Sequence, residues 1–363
     1  MRILHSSDWH LGRIFHGVHL TEDQAFALEG FVEFAKELEP DVIVIAGDLY
    51  DRAVPPPEAV ELLDEILGRV VLGLGIPTIA IAGNHDSPER IGFGSRLLRG
   101  SGLHLSGPLG PTQPSHITLE DSHGPVDFIS LPYASVELVR ATLPLEGGEP
   151  LPREPGACLR RQIEVATAGL PARRRVAIAH AFVVGGEESE SERALTVGGT
   201  GAVPSHLFEG FAYTALGHLH RPQSLRGGAL RYSGSLLPYS FSELGYEKSV
   251  TLAELGAEGE LTIATHSLPQ RRGFRIVEGT LEALLAAGGE DPSKEDYLLA
   301  RLLDRGELLN PMARLREVYP QTMHIERVAP AVGSEPSAAV DRRALSPAEL
   351  FAEFFLEMMG EPL

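Results

Sequence analysis

The run Val42-Ile43-Val44-Ile45-Ala46-Gly47-Asp48 decides how this chain folds. Its unbroken β-branched character is that of a strand buried on both faces. A buried strand ends in a turn that presents its last side chain at the sheet edge, and here that side chain is a carboxylate. The same grammar recurs at four other places. Asp8-Trp9-His10 follows an opening strand at about residues 2–7, and Gly83-Asn84-His85 follows Thr78-Ile79-Ala80-Ile81-Ala82. His180 closes a strand at 175–179, and Gly217-His218-Leu219-His220 follows one at 212–216. Open α/β sheets place their ligands at the C-terminal ends of strands. Two carboxylates, an amide and four or five imidazoles gathered there are the donors that hold two divalent cations for phosphate-ester hydrolysis.

Working outward, the spacing predicts a helix over 21–38, with Thr21 and Gln24 as a capping box and Pro40 as its stop. Pro55-Pro56-Pro57 opens a second helix that runs to about Leu72. The strand–helix–strand–helix–strand order makes an α/β layer with parallel strands. A further strand lies at 126–131. After His220, shorter strands at about 229–233 and 249–253 read as an antiparallel finish. Residues 183–200, rich in Gly, Glu and Ser, read as a mobile acidic loop beside the site. Around Leu268-Pro269-Gln270-Arg271 a boundary divides a domain over 1–270 from a small α+β unit over 271–330. That unit carries strands at 274–278, 297–303 and 322–328 and helices at 280–287 and 311–319. A linker over 331–345 leads to a segment over 346–363, where Ser346-Pro347-Ala348-Glu349 caps a helix at 347–359. Leu350, Phe351, Phe354, Phe355 and Met358 make one apolar stripe on it.

Glycines 47, 83 and 217 allow backbone and metal to approach closely. Asp8 and His10 are two apart on an extended segment and so point to one side, and His218 and His220 repeat the pattern. Asp48, after the most deeply buried strand, is the choice for a carboxylate bridging two cations about 4 Å apart. Imidazoles mixed with carboxylates and an amide suit manganese, iron or zinc better than magnesium or calcium.

The order of motifs resembles the calcineurin-like metallophosphoesterases. The wording is closer still to one family within them. His5-Ser6-Ser7-Asp8-Trp9-His10-Leu11-Gly12, Ala46-Gly47-Asp48-Leu49-Tyr50-Asp51-Arg52, Ala82-Gly83-Asn84-His85-Asp86-Ser87, Leu216-Gly217-His218-Leu219-His220-Arg221-Pro222 and Leu345-Ser346-Pro347-Ala348-Glu349-Leu350-Phe351 resemble the SbcD family, the nuclease subunits of bacterial SbcC–SbcD complexes. The resemblance implies a layered metallophosphoesterase β-sandwich flanked by helices, followed by the small α+β unit as a capping domain that shapes a DNA groove. It implies two manganese ions, one held by Asp8, His10, Asp48 and His220, the other by Asp48, Asn84, His180 and His218. His85, beside a ligand, would be the catalytic imidazole, and spacing allows either Asp51 or Asp86 to orient it. It implies single-strand and hairpin endonuclease activity, and duplex exonuclease activity driven by an SbcC-type coiled-coil ATPase, since this chain has no P-loop of its own. The 346–363 helix would dock on that partner, and the nuclease domain would form a homodimer through the helices near 58–72 and 89–99.

The net charge of −19 is unusual for a nucleic-acid enzyme. Bound divalent ions offset it locally. Arginines 90, 96 and 99 and arginines 160, 161, 173, 174 and 175 form clusters that could grip phosphate or simply face solvent. A single cysteine, Cys158, in a linker-like stretch excludes an internal disulfide and fits a reducing compartment. With no apolar leader and no membrane-length run, the expected location is the cytoplasm, at the nucleoid. A phosphatase or cyclic-nucleotide phosphodiesterase on the same fold is the alternative enzyme reading. A scaffold subunit without activity is a third, and the intact ligand set opposes it.

Overall fold

The computed structural model describes every residue except 111–115, 146, 148, 196–200, 329–345, 347, 353, 354 and 356–363. It divides into two compact units, Met1–Arg271 and Arg272–Leu363. The first opens with β1 (Arg2–Ser6), a small hairpin of β2 (Ile14–Phe15) and β3 (Val18–His19), α1 (Thr21–Leu38), β4 (Val42–Ile45), α2 (Pro57–Leu67), β5 (Thr78–Ile81), two short helices α3 (Pro88–Ile91) and α4 (Ser95–Leu98), and β6 (Leu103–Ser106). Parallel pairing of β1, β4, β5 and β6 forms one sheet. The chain continues through β7 (His116–Asp121), β8 (Gly124–Leu131), α5 (Val136–Thr142), α6 (Pro155–Thr167), β9 (Arg174–His180), β10 (Tyr213–Gly217), β11 (Gln223–Leu225) and β12 (Leu230–Tyr232). These strands make a second sheet in the order β11-β12-β10-β9-β8-β7. Finally β13 (Ser249–Leu255) and β14 (Leu261–Ser267) return to the first sheet, with β13 antiparallel to β1.

The two six-stranded sheets form the expected sandwich. Ile3, Val42, Val44, Ile79 and Ile81 of the first pack with Phe128, Val176, Ile178, Tyr213 and Ala215 of the second in one buried cluster. Burial of such side chains at ~25 cal/mol per Å² of apolar surface is the main favourable term here. On the other face of the second sheet, Leu159 and Ala166 of α6 pack with Ile129, Leu131, Ala177 and Ala179. Ile43, Ile45 and Ala80, on the other face of the first sheet, are buried too, so its central strands are covered on both faces, as their unbroken apolar runs require.

Several expectations change. The stretch around Cys158 is the helix α6, with Cys158 buried, rather than a linker. The finish after His220 is mixed, because β12 pairs parallel to β10. The second predicted helix ends as α at Leu67 and continues as a π turn over Gly68–Gly73. At α1 no side chain caps the N-terminus, because Gln24 is turned into the core.

The second unit is a β–α–β–α–β arrangement: β15 (Phe274–Gly279), α7 (Leu281–Gly288), β16 (Tyr297–Leu302), α8 (Pro311–Val318) and β17 (Thr322–Arg327). All its strands are parallel, and Leu281, Leu284, Leu298, Leu302, Leu315 and Tyr319 make its core. The predicted linker lies outside the described residues, as do Phe354 and Met358 of the terminal stripe. The capping box before them is formed: Ser346 Oγ donates to Glu349 Oε2 at 2.6 Å, and the Ser346 N–H donates to the same oxygen at 2.8 Å.

Candidate metal centre

The five sequence endings meet at one edge of the sandwich. Asp8 and His10 leave β1, Asp48 leaves β4, Asn84 and His85 leave β5, His180 ends β9, and His218 and His220 leave β10. The ladder between the first two continues past the strands, with the Asp8 N–H on Gly47 O at 3.0 Å and the His10 N–H on Asp48 O at 2.9 Å. Asp8, His10, Asp48 and His218 all have positive φ, at 52°, 46°, 50° and 103°. Left-handed backbone costs a non-glycine residue about 1–2 kcal/mol. Surrounding hydrogen bonds offset that cost and turn successive side chains toward one point. Glycine is required between them: a Cβ on Gly83 would overlap Asp48 Oδ1, and one on Gly47 would overlap His180 Nδ1.

Asp8, His10, Asp48, His180, His218 and His220 are each no more than 3% exposed, whereas Asn84 is half-buried. His10 Nε2 and His220 Nε2 face each other at 3.0 Å. Asp48 Oδ2 lies 3.6 Å from His10 Nε2 and 3.4 Å from His180 Nε2. His180 Nε2 is 2.8 Å from Asn84 Oδ1, and its Nδ1 is 2.9 Å from Ala46 O. Donor atoms of Asp8, His10 and His220, and again of Asp8, Asp48 and His180, lie within 4.8 Å of one another. The His218 ring stands 5.5 Å from that of His180, and the His218 main-chain N–H donates to Asp8 Oδ1 at 2.9 Å.

The electrostatics are those of a cation site. Burial drives His10 well below its ordinary value against the pull of Asp48. Burial, reinforced by His180, lowers His218 to about 3. Burial opposes protonation of His180 too, but Asp48 prevails and raises it to about 9. Asp8 is raised to about 6, burial outweighing the nearby imidazoles. Burial would also raise Asp48, but the surrounding His180, His10 and His85 hold it well below the carboxylate range. Two imidazole nitrogens face to face, with buried carboxylates beside them, are a donor set that fits divalent metal.

His85 stands beside this set with its N–H on Asp48 Oδ1 at 2.9 Å and its ring edge-on to His10 at 4.6 Å between centroids. Its Nδ1 is 2.8 Å from the main-chain oxygen of Asp51. The Asp51 carboxylate points elsewhere: it accepts from Arg13 at 2.8 Å and lies 3.6 Å from His10 Nδ1. Asp86 accepts the N–H groups of Leu49, Tyr50 and Gly83 at 3.1, 2.9 and 2.9 Å, tying the two ligand loops together. Neither carboxylate is directly hydrogen-bonded to the His85 ring, although an Asp51 oxygen lies within 4.8 Å of ring nitrogens of both His85 and His10.

Sequence reasoning missed the site role of Gln24. Its Oε1 accepts the Gly12 N–H at 3.1 Å, and its Nε2 donates to His10 O, Tyr239 Oη and Trp9 O at 2.8, 2.9 and 3.1 Å. The signal was available, because Gln24 shares the helix face of the buried Ala27, Leu28 and Phe31. Trp9, fully buried, packs edge-on to Phe31 beneath the site. Residues 187–192 of the acidic loop are tied down: Glu192 accepts the His220 N–H at 2.8 Å, and Ser191 Oγ is 2.5 Å from His220 Nδ1. Four of the five arginines in the second cluster are occupied as well. Arg173 is paired with Asp127, Arg174 with Asp121, and Arg161 and Arg175 with main-chain oxygens. Arg160 of the same cluster is exposed, as are Arg90, Arg96 and Arg99.

A two-sheet sandwich with seven side chains of metal-ligand type at one edge defines a metallophosphoesterase. Residues 1–163 match the family described as Calcineurin-like phosphoesterase, and residues 270–359 match one described as Type 5 capsule protein repressor C-terminal domain. The chain is 36% identical over 323 residues to the SbcD subunit of the nuclease SbcCD of Staphylococcus saprophyticus, covering 89% of this chain and 84% of that protein. It belongs to the SbcD family, and is a metal-dependent phosphodiesterase. Among solved structures, TT1561 of Thermus thermophilus shares 17% identity over 73% of this chain and 98% of its own, with a TM-score of 0.41. GAP50 of Plasmodium shares 15% over 90% and 97%, with a TM-score of 0.40. No helix among the described residues is long and apolar enough to cross a membrane.

Proposed function

We propose that the chain is the manganese-dependent nuclease subunit of a DNA-processing complex. On this reading it cuts single strands and hairpins alone, and duplex ends when an SbcC-type ATPase is bound. The observation that carries the reading is Asp48 Oδ2 lying between His10 and His180, which gives two ligand groups one shared carboxylate. Asp8, His10, Asp48 and His220 would hold one ion, and Asp48, Asn84, His180 and His218 would hold the other. Held there, two divalent ions would supply positive charge against the phosphate and make water a better nucleophile at neutral pH. The protein's own groups do the rest. His85 donates from Nδ1 to the Asp51 carbonyl, which fixes its ring and leaves Nε2 to carry the proton for the departing oxygen. Asp48 holds the His85 main chain in place through its N–H. Arg13 neutralises Asp51 beside it.

The second unit serves as the DNA-groove cap, and the segment from Ser346, where Leu350 and Phe351 are exposed, docks on the ATPase. A second copy of the chain covers the face around α2 and α4. An apolar groove of about 450 Å³ lined by Val60, Leu63, Leu67, Leu72, Phe93 and Leu98 lies there, with Phe93 84% and Leu97 86% exposed. The protein acts in the cytoplasm at the nucleoid.

Circular single-stranded DNA with manganese, magnesium or EDTA, cut by wild type and His85→Gln, tests the reading. Manganese-dependent cutting that falls about 10²–10⁴-fold in the variant, with metal content intact, is the expected result. No DNA cutting alongside brisk p-nitrophenyl phosphate hydrolysis would move the assignment to a phosphatase.

A further inference from the structure

Behind the metal centre lies an ion pair that the proposed chemistry does not use. Glu243 and Lys248 are 0% and 1% exposed. Lys248 Nζ donates to Glu243 Oε2 at 2.5 Å, to Ser235 Oγ at 2.9 Å and to the His220 carbonyl at 2.9 Å. Glu243 Oε1 accepts from Ser191 Oγ at 2.5 Å and from the Tyr239 N–H at 3.2 Å. Ser191 Oγ in turn is 2.5 Å from His220 Nδ1. The hydrogens distribute in one way: the Ser191 hydroxyl donates to Glu243, so its oxygen accepts from His220 Nδ1–H. That chain leaves the His220 Nε2 lone pair directed at His10 Nε2, 3.0 Å away.

A buried ion pair is a weak source of stability, because desolvation of both charges offsets their attraction. This pair instead grips one ligand at two atoms, and Glu192 holds a third. Lys248 holds the His220 carbonyl, the Glu243–Ser191 chain holds its ring, and Glu192 accepts its N–H at 2.8 Å. A metal-bound histidine that hands its other ring N–H to an acceptor has its tautomer and orientation set by that acceptor. We propose that Glu243, charged against Lys248 and acting through Ser191, is the positioning residue that selects the metal-competent tautomer of His220, and so controls loading of the half-site it shares with Asp8 and His10. The inference rests on the assignment of His220 to the metal centre. It gives the acidic loop a role: Ser191 is the relay between carboxylate and imidazole.

The test is manganese titration of the full chain by calorimetry, with bound-metal counts, for wild type, Ser191→Ala, the double variant Glu243→Gln/Lys248→Met and His220→Ala. The double variant removes both charges together, so no unpaired buried charge remains, and Ser191→Ala deletes only the relay oxygen. Folding is read from Trp9 fluorescence. The expected result is one of two binding events weakened about 10–100-fold in both variants, with the other unchanged. Glu243→Asp/Ser191→Thr, which keeps both functional groups, should retain more affinity than the double variant. Folded Ser191→Ala protein that binds two manganese ions with wild-type affinity would overturn the proposal, provided His220→Ala loses one. If His220→Ala also binds two ions unchanged, the ligand assignment itself fails and the inference falls with it. Should the double variant not fold, Ser191→Ala decides alone.

Discussion

Gln24→Leu separates the clamp seen in the structure from the capping role that its sequence position suggested. Leucine keeps helix propensity and volume, so α1 itself should tolerate it. What disappears is a set of hydrogen bonds to the ligand segment. The buried Gly12 N–H loses the Gln24 Oε1 acceptor at 3.1 Å, and an orphaned buried donor costs about 1–3 kcal/mol. The carbonyls of His10 and Trp9 each lose a bond but keep another, from the Arg13 N–H at 3.0 Å and the Tyr239 hydroxyl at 2.5 Å. Those losses are nearer ~1 kcal/mol apiece. The total is about 3–5 kcal/mol, against ~1 kcal/mol for a lost cap. The same clamp restrains the left-handed backbone at Asp8 and His10, so metal affinity should fall together with stability. Trp9 is the chain's one tryptophan and sits fully buried against the clamped segment. Urea unfolding of the metal-free protein followed by its fluorescence therefore reads the relevant unit directly. A loss under about 1 kcal/mol, with manganese affinity unchanged, would refute the clamp and restore the capping role.

Other perturbations have equally definite outcomes. Gly83→Ala should abolish metal binding while the rest of the fold survives, because the new Cβ overlaps Asp48 Oδ1; metal retained at wild-type stoichiometry would contradict the packing. In metal-free protein both His180 nitrogens face acceptors, Ala46 O and Asn84 Oδ1, and Asp48 raises the ring to about 9 despite burial. That proton stabilises the metal-free fold below the ordinary histidine range, and the contribution is lost as pH rises through about 9. Metal must displace it, so apparent manganese affinity should climb up to about tenfold per pH unit from about 7 and level off near 9; a flat profile in calorimetry would count against it. Phe93→Glu places a charge in the exposed apolar face where Phe93 is 84% exposed, and should convert a dimer to monomer in sedimentation without loss of metal.

The parts of the fold that were legible are those where one local rule dominates. The buried runs at 42–46 and 78–82 could only be strands, and α1 spans Thr21–Leu38 as its spacing predicted. Edge strands were missed: His116–Asp121 and Leu261–Ser267 alternate in exposure, but polar residues dilute the pattern. The helix α6 was hidden by Pro155 and the arginines around Cys158, although Cys158, Leu159 and Ala166 form its buried face. In the site, residue types could be read because each follows a strand. Which atom does what could not, since that depends on contacts between distant segments. Asp51 meets His85 through its main chain rather than its carboxylate, and Arg173 and Arg174 meet Asp127 and Asp121 rather than solvent.

The backbone at the site depends on distant segments in the same way. Among the described residues eight non-glycines adopt positive φ, and Asp8, His10, Asp48 and His218 are half of them. No residue pattern announces left-handed backbone at an aspartate or histidine, because its cost is local whereas its support is not. Here the support is a cross-chain lattice: Gly47 O on Asp8, Asp48 O on His10, the Asp8 carboxylate on the His218 N–H, and Asp86 across the 49, 50 and 83 amides. Strain of this kind persists only where the surroundings over-determine it. Its concentration at four candidate ligands means the donors are held convergent before any cation arrives. The electrostatic cost of gathering Asp8 and Asp48 is then already met by folding, and metal binding recovers it as affinity.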